Sequence, residues 1–202
     1  MGASIGCTLA WLAWGAHRDD AANPALLVAA LALHGTLWWR GRRSAPAPAA
    51  VPMRAAVPMR AALALTAVMM AVVVVVPLHH SRDLYLYDIY GRAVADHQVN
   101  PYTSTPDQLD DRTVDLVAEQ WHDQPSMYGP AFVGLSTIVS RLGGDSALGI
   151  RLAWQSLTAV TAFAAVALVA RRTRDPMAVL ALGCSPVLLA AVHDAHNDVL
   201  IG

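Results

Sequence analysis

Lysine is absent from all 202 residues, and charged side chains of either sign make up only 14% of the chain. The missing lysine, paired with an excess of arginine and alanine, reflects genomic compositional bias and carries no functional argument. The scarcity of charge carries more. With 55% hydrophobic residues and a mean hydropathy of +0.40, the chain holds more apolar surface than a soluble domain of this size normally hides, so a bilayer is the expected solvent. A basic face is lacking too. The net charge is −1 and the arginines fall in short separate clusters, which excludes nucleic acid as a partner, because neutralising phosphates needs a basic patch. Cysteine is equally scarce: Cys7 and Cys184 lie in apolar stretches and form no ligand-like pair, so neither a disulfide framework nor a zinc site is expected.

What is present is a series of apolar runs, to be measured against the ~20 residues with which a helix crosses a ~30 Å hydrocarbon layer. The strongest span 61–78, which contains "VVVVV", and 152–170, interrupted only by Gln155, Ser156 and some threonines. Residues 1–16, 24–39, 129–142 and 176–192 are weaker, each short enough to be tilted, thin or re-entrant. The first has the length of a signal peptide but no basic n-region, and another span follows soon after, so it reads as a retained helix.

Between the second and third runs lies "RGRRSAPAPAAVPMRAAVPMR", in which the hexapeptide AAVPMR occurs twice over 49–60. Two copies of six residues build no repeat architecture, so this is linker. Arg40, Arg42, Arg43, Arg54 and Arg60 stand there without an acid, which marks the cytoplasmic side. The third run then leads outward to residues 79–128, where Asp83, Asp88, Asp96, Asp107, Asp110, Asp111, Asp115, Glu119 and Asp123 face only Arg82, Arg92 and Arg112. That loop is expected to be extracytoplasmic. Arg171, Arg172 and Arg174 fall outside if both 129–142 and 152–170 cross; a re-entrant 129–142 returns them to the inside, and that arrangement is preferred.

The loop is more than a spacer. Thr105 and Gln108 have the spacing of a capping box with Pro106 at the first helical position, which predicts a short helix. Val114, Val117, Ala118 and Trp121 recur at helical spacing opposite Asp115 and Glu119, which predicts a second helix along the membrane surface with Trp121 at the interface; packing onto the membrane helices explains the same apolar positions. Asp83 and Asp88 are five residues apart, about 140° around a helix, so one cavity admits only one of them. Arg92 follows Asp88 by four residues, the favourable order for a helical ion pair worth about 0.3 to 0.5 kcal/mol. Asp83 lacks such a partner and shares a face with Tyr87 and Tyr90, a carboxylate beside aromatic rings that suits a sugar.

The string "SRDLYLYDIYGR", followed by "VNPY", "PSMYGP" and "SPVLLAAVHDAHND", resembles in content and order the bacterial polyprenyl-phosphate-mannose-dependent α-1,6-mannosyltransferases, membrane glycosyltransferases of the GT-C class. The similarity covers 81–202, and the chain reads as the N-terminal part of such an enzyme. The resemblance implies an all-α, polytopic transmembrane helical bundle with a long extracytoplasmic loop carrying short interfacial helices. Residues 1–60 would form two helices and the cytoplasmic linker, and 61–202 the start of the GT-C-like module: helix 61–78, loop 79–128 and membrane segments over 129–192. The implied reaction moves mannose from a polyprenyl-phosphate donor to a mannan or lipoglycan acceptor outside a multi-pass cell-membrane protein surrounded by membrane lipids. No cofactor and no metal are expected.

Asp83 corresponds to the family's catalytic aspartate. A phosphate leaving group needs little protonation and an inverting transfer needs one base, so a single carboxylate suffices. Arg82 or Arg92 would hold the donor phosphate, although interfacial arginines also anchor lipid headgroups. Tyr87, Asn100, Tyr102, Tyr128, His196, Asn197 and Asp198 complete the expected substrate contacts. Ser185–Pro186 stands where family members often have "NP", which bears on acceptor specificity. His193 and His196 lie three apart without a third ligand, so a loop cap or an acceptor contact outweighs a metal site. The competing class is a non-enzymatic membrane protein, such as a lipid-linked sugar flippase or transporter subunit; its acids would belong inside the spans, whereas here they gather in the loop.

Overall fold

A computed structural model describes residues 57–78 and 81–201, with Thr36 alone before them. The two expected N-terminal spans, the arginine clusters and most of the linker lie outside the described residues. Every regular element within them is helical, with no strand: α1 (Met59–Val75), α2 (Asp83–Ala95), three single 3₁₀ turns, α3 (Pro130–Gly143), α4 (Ala147–Thr173), α5 (Pro176–Gly183), α6 (Pro186–His193) and α7 (Asp198–Ile201). The all-α expectation holds there. Among the described residues only α4 is by itself long and apolar enough to cross a membrane. Its 27 residues rise about 40 Å, more than the ~30 Å required. The bent pair α5 and α6, meeting at 46°, makes at most one further span, and α1 is apolar but shorter than the crossing length.

The chain folds as two compact units. In the first, α1 packs against α5 and α6 through Ala62, Met69, Met70 and Val73, which meet Val179, Leu180, Leu189, Val192 and the second half of α4. The approach is close: a side chain on Gly183 would overlap the buried Thr66, so the small residue lets the two helix backbones come together. At the end of α6 the buried His193 places Nδ1 3.2 Å from the Val73 carbonyl, so this histidine ties α6 to α1. Its neighbour segments expose Val68, Val75, Val160, Leu168 and Val187, apolar surface that suits lipid contact. The run expected over 176–192 is broken because Pro186 has no N–H to donate and its ring collides with the preceding turn.

The second unit holds α2, the 3₁₀ turns, α3, the first half of α4 and the turn 194–197. Ser81 starts α2, its Oγ accepting from the Asp83 N–H at 3.1 Å. Helix α2 lies along α3, and Gly91 permits this, since a side chain there would run into the Ser136 carbonyl. On another face Leu86, Ile89 and Tyr90 enclose Val117, flanked by Leu109, Val114 and Trp121. The capping box at Thr105 and Gln108 forms as read, closing one 3₁₀ turn over Pro106–Gln108. The continuous helix expected from Val114 to Trp121 does not form. Two separate turns, Val114–Leu116 and Glu119–Trp121, are parted by Val117 and Ala118 in extended backbone. Burying Val117 to 2% exposure against α2 outweighs the local period, and Trp121 packs on the same cluster.

Candidate functional site

Asp83 opens α2, half-buried, where its charge complements the positive end of the helix. One turn on, Tyr87 is 1% exposed and sits inside an aromatic box. Its ring meets those of Tyr128, Phe132 and Trp154 edge-on at centroid separations of 5.3, 5.1 and 5.4 Å, the favoured quadrupole geometry. Burial, reinforced by Tyr128 and by the negative charge of Asp83, pushes the Tyr87 hydroxyl far above the ordinary phenol range, against the Asn197 backbone amide that points to its oxygen. The hydroxyl therefore stays protonated and acts as a neutral donor, toward Tyr128.

That Asn197 contact brings the distant turn 194–197 onto the first turns of α2. Asp194, in the same turn, is 7% exposed. Burial raises its carboxyl to about 6, with His196 opposing and Asp83 adding to the rise. His196 places Nε2 3.8 Å from Asp194 Oδ2 and keeps its ring 40% exposed. Between them Ala195, fully buried, adopts φ +53°, a left-handed conformation that alanine rarely takes. Asp83, Tyr87, Tyr128, Asp194, His196 and Asn197, drawn from three of the sequence motifs, thus belong to one folded unit.

Other expected contacts lie elsewhere. Arg82 flanks Asp83 and is exposed. Arg92, nine residues along the helix and so about 13 Å away from Asp83, is 5% exposed and bonds inward. Its Nε donates to Asp88 Oδ2 at 2.7 Å and Nη1 to Asp145 Oδ1 at 2.9 Å, while Nη2 donates to the Gly144 carbonyl; Asp111 lies 3.9 Å away. The Asp88–Arg92 pair forms as its spacing predicted, and both partners are buried. Burial lifts Asp88 to about 6 against Arg92. The Trp154 indole N–H lies toward the Asp88 carboxyl, though short of hydrogen-bond geometry. Arg92 and Arg112 together hold Asp145 below the usual carboxylate range.

Asn100 is exposed and acts as a turn residue, its Oδ1 accepting from the Tyr102 N–H at 3.0 Å. The same turn clamps the next motif, Pro101 accepting from the Ser126 N–H at 2.7 Å. Tyr102 is 41% exposed, and Asp198 begins α7 in an exposed position. Sequence reasoning missed Asp194, Phe132 and Trp154. For Asp194 a signal existed, an ionisable residue directly after an apolar segment; the two aromatics carried none, because only tertiary packing sets them beside Tyr87.

A family model described as alpha-(1->6)-mannopyranosyltransferase, N-terminal domain, matches residues 4–202. The chain, helical throughout its described residues, with a helix long and apolar enough to cross a membrane and an aromatic box beside carboxylates, is thereby placed among the mannosyltransferase-type glycosyltransferases. It belongs to the MptA_B family. No curated protein and no solved structure matches the chain.

Proposed function

We propose that the chain is the N-terminal part of a multi-pass GT-C-class enzyme that transfers mannose from a polyprenyl-phosphate donor to a glycan or lipoglycan acceptor on the extracytoplasmic face, with inversion. One observation carries this beyond family membership. Asp83, the Tyr87–Tyr128 pair and the Asp194–Asn197 turn come from sequence stretches as much as 114 residues apart and join in one group of carboxylates, imidazole and aromatic rings. In the reaction, the acceptor hydroxyl oxygen bonds to the anomeric carbon as its proton passes to Asp83. The bond from that carbon to the phosphate oxygen breaks, and polyprenyl phosphate leaves with the electron pair. The half-buried ring of Tyr128 at the edge of the aromatic box favours an apolar sugar face, and the buried Tyr87, expected as a substrate contact, instead holds Tyr128 in place. Arg82, exposed at the same helix end, is the candidate phosphate contact; Arg92 is better explained as an internal brace.

The arrangement of charge supports an enzyme over a transporter. No aspartate or glutamate falls within α1, α3, α4, α5 or α6, whereas transport sites place ionisable groups inside the spans. The test is labelled-mannose incorporation by the full-length protein in membranes matched for its level. Asp83→Asn keeps the shape and removes the basicity, so the rate falls about 10²- to 10⁴-fold, while Asp88→Asn retains most of the rate per folded molecule. Near-normal transfer by Asp83→Asn, with Asp88→Asn inactive, reverses the assignment of the base.

A further inference from the structure

We infer that Asp194 is a positioning residue for this transfer, holding the His196 imidazole at the Asp83 end of α2 so that the ring is set to meet the substrate. The inference rests on the reading of Asp83 as part of the transfer site. Three observations converge on one turn. Asp194 is 7% exposed whereas the ring it faces, 3.8 Å away, is 40% exposed, so a ligand reaches the imidazole and not the carboxylate. Ala195 between them is held at φ +53°, which folds position 196 back toward position 194; a strained residue of this kind persists only where its surroundings over-determine it. Asn197 then fastens the turn to Tyr87, one helical turn from Asp83.

With Nε2 turned to Asp194, the other ring nitrogen is left for the ligand, the division of labour by which a carboxylate orients a working histidine. The grouping is not one of sequence neighbours, since Asp83 and Asp194 are separated by more than a hundred residues. The charged and titratable groups facing Asp194 are His196 from its own turn and Asp83 from α2. The carboxylate form, needed to orient the ring, is present above about pH 6 and lost as pH falls through that value. The transfer rate of the intact enzyme therefore carries an acid limb near pH 6.

The experiment uses the full-length protein in membranes with polyprenyl-phosphate mannose as donor, measuring kcat and KM from about pH 5 to 8. Asp194→Asn is expected to lower kcat/KM about tenfold and to abolish the acid limb. His196→Gln, at a half-exposed position that folding tolerates, is expected to abolish the same limb, and the double variant is expected to be no worse than His196→Gln alone. An unaltered limb in His196→Gln overturns the proposal even if Asp194→Asn fails to accumulate. So do strictly additive losses, or a normal profile in Asp194→Asn. If the unsubstituted protein transfers no mannose, or Asp83→Asn transfers it normally, the functional reading has failed first; active protein with Asp83→Asn inactive and Asp194→Asn normal refutes this inference alone.

Discussion

Replacing Arg92 by leucine removes the cation that pairs with the buried Asp88. The two side chains are 5% and 1% exposed and approach to 2.7 Å. With charge centres about 4 Å apart and an effective dielectric near 20, their attraction is about 4 kcal/mol. Removing one partner of a buried pair costs about 3 to 5 kcal/mol, because the other charge is stranded. Arg92→Leu also releases Asp145 and the Gly144 carbonyl, so the upper part of that range is expected, a drop of about 10 °C or more in thermal midpoint for a chain of this size. The assay heats detergent-solubilised full-length protein and follows loss of the monodisperse species by size-exclusion chromatography. Arg112→Leu is the control: its pair with Asp145 is 74% and 56% exposed, so its midpoint should barely move. The double variant Arg92→Leu with Asp88→Leu should recover most of the loss, since a buried pair is replaceable by apolar packing.

The pH dependence has a defined sign. Asp88 in the folded protein titrates near 6 and in the unfolded chain near 3.9. The folded state therefore keeps a proton that the unfolded state releases. Stability from this group is present below the unfolded value and lost as pH rises through about 6. Without Arg92 the carboxyl is more readily protonated still, so the deficit of Arg92→Leu is largest at pH 7 and shrinks toward pH 5. An Arg92→Leu midpoint no lower than that of Arg112→Leu, or a double variant as unstable as the single, refutes the reasoning.

Two further outcomes are expected. Gly91→Val forces a side chain into the Ser136 carbonyl and should cost about 1 to 3 kcal/mol, read by the same heating assay; Gly134→Ala, where the added carbon meets nothing within 4 Å, should leave the midpoint unchanged or raise it, because alanine is the better helix former. Cysteines introduced as Ser44→Cys and Thr103→Cys, in a background with Cys7 and Cys184 replaced by alanine, should label with an impermeant maleimide from opposite sides of the membrane; equal access from outside contradicts the charge-based topology.

Much of this protein was legible in its residues because the signals were local. Apolar runs located α1, α3 and α4 to within a few residues, the single run expected over 176–192 divides at Pro186 into α5 and α6, and the i,i+4 spacing of Asp88 and Arg92 foretold their pairing. The same spacing put Tyr87 on the face of Asp83. Order and content of the motifs carried the family. Periodicity misled at Val114 to Trp121, since helical spacing records which side chains are apolar and not whether the backbone between them is needed elsewhere; enclosing Val117 against α2 required extended residues. Burial was equally invisible, so a helical ion pair by spacing became a buried brace by structure. Asp194, Phe132 and Trp154 enter the candidate site only because α3, α4 and the turn at Ala195 converge on Tyr87. Distance along the chain bears no relation to distance in space once helices pack, and it is that packing, through Gly91 against Ser136 and Asn197 against Tyr87, that decided which of the many acids and rings stand together.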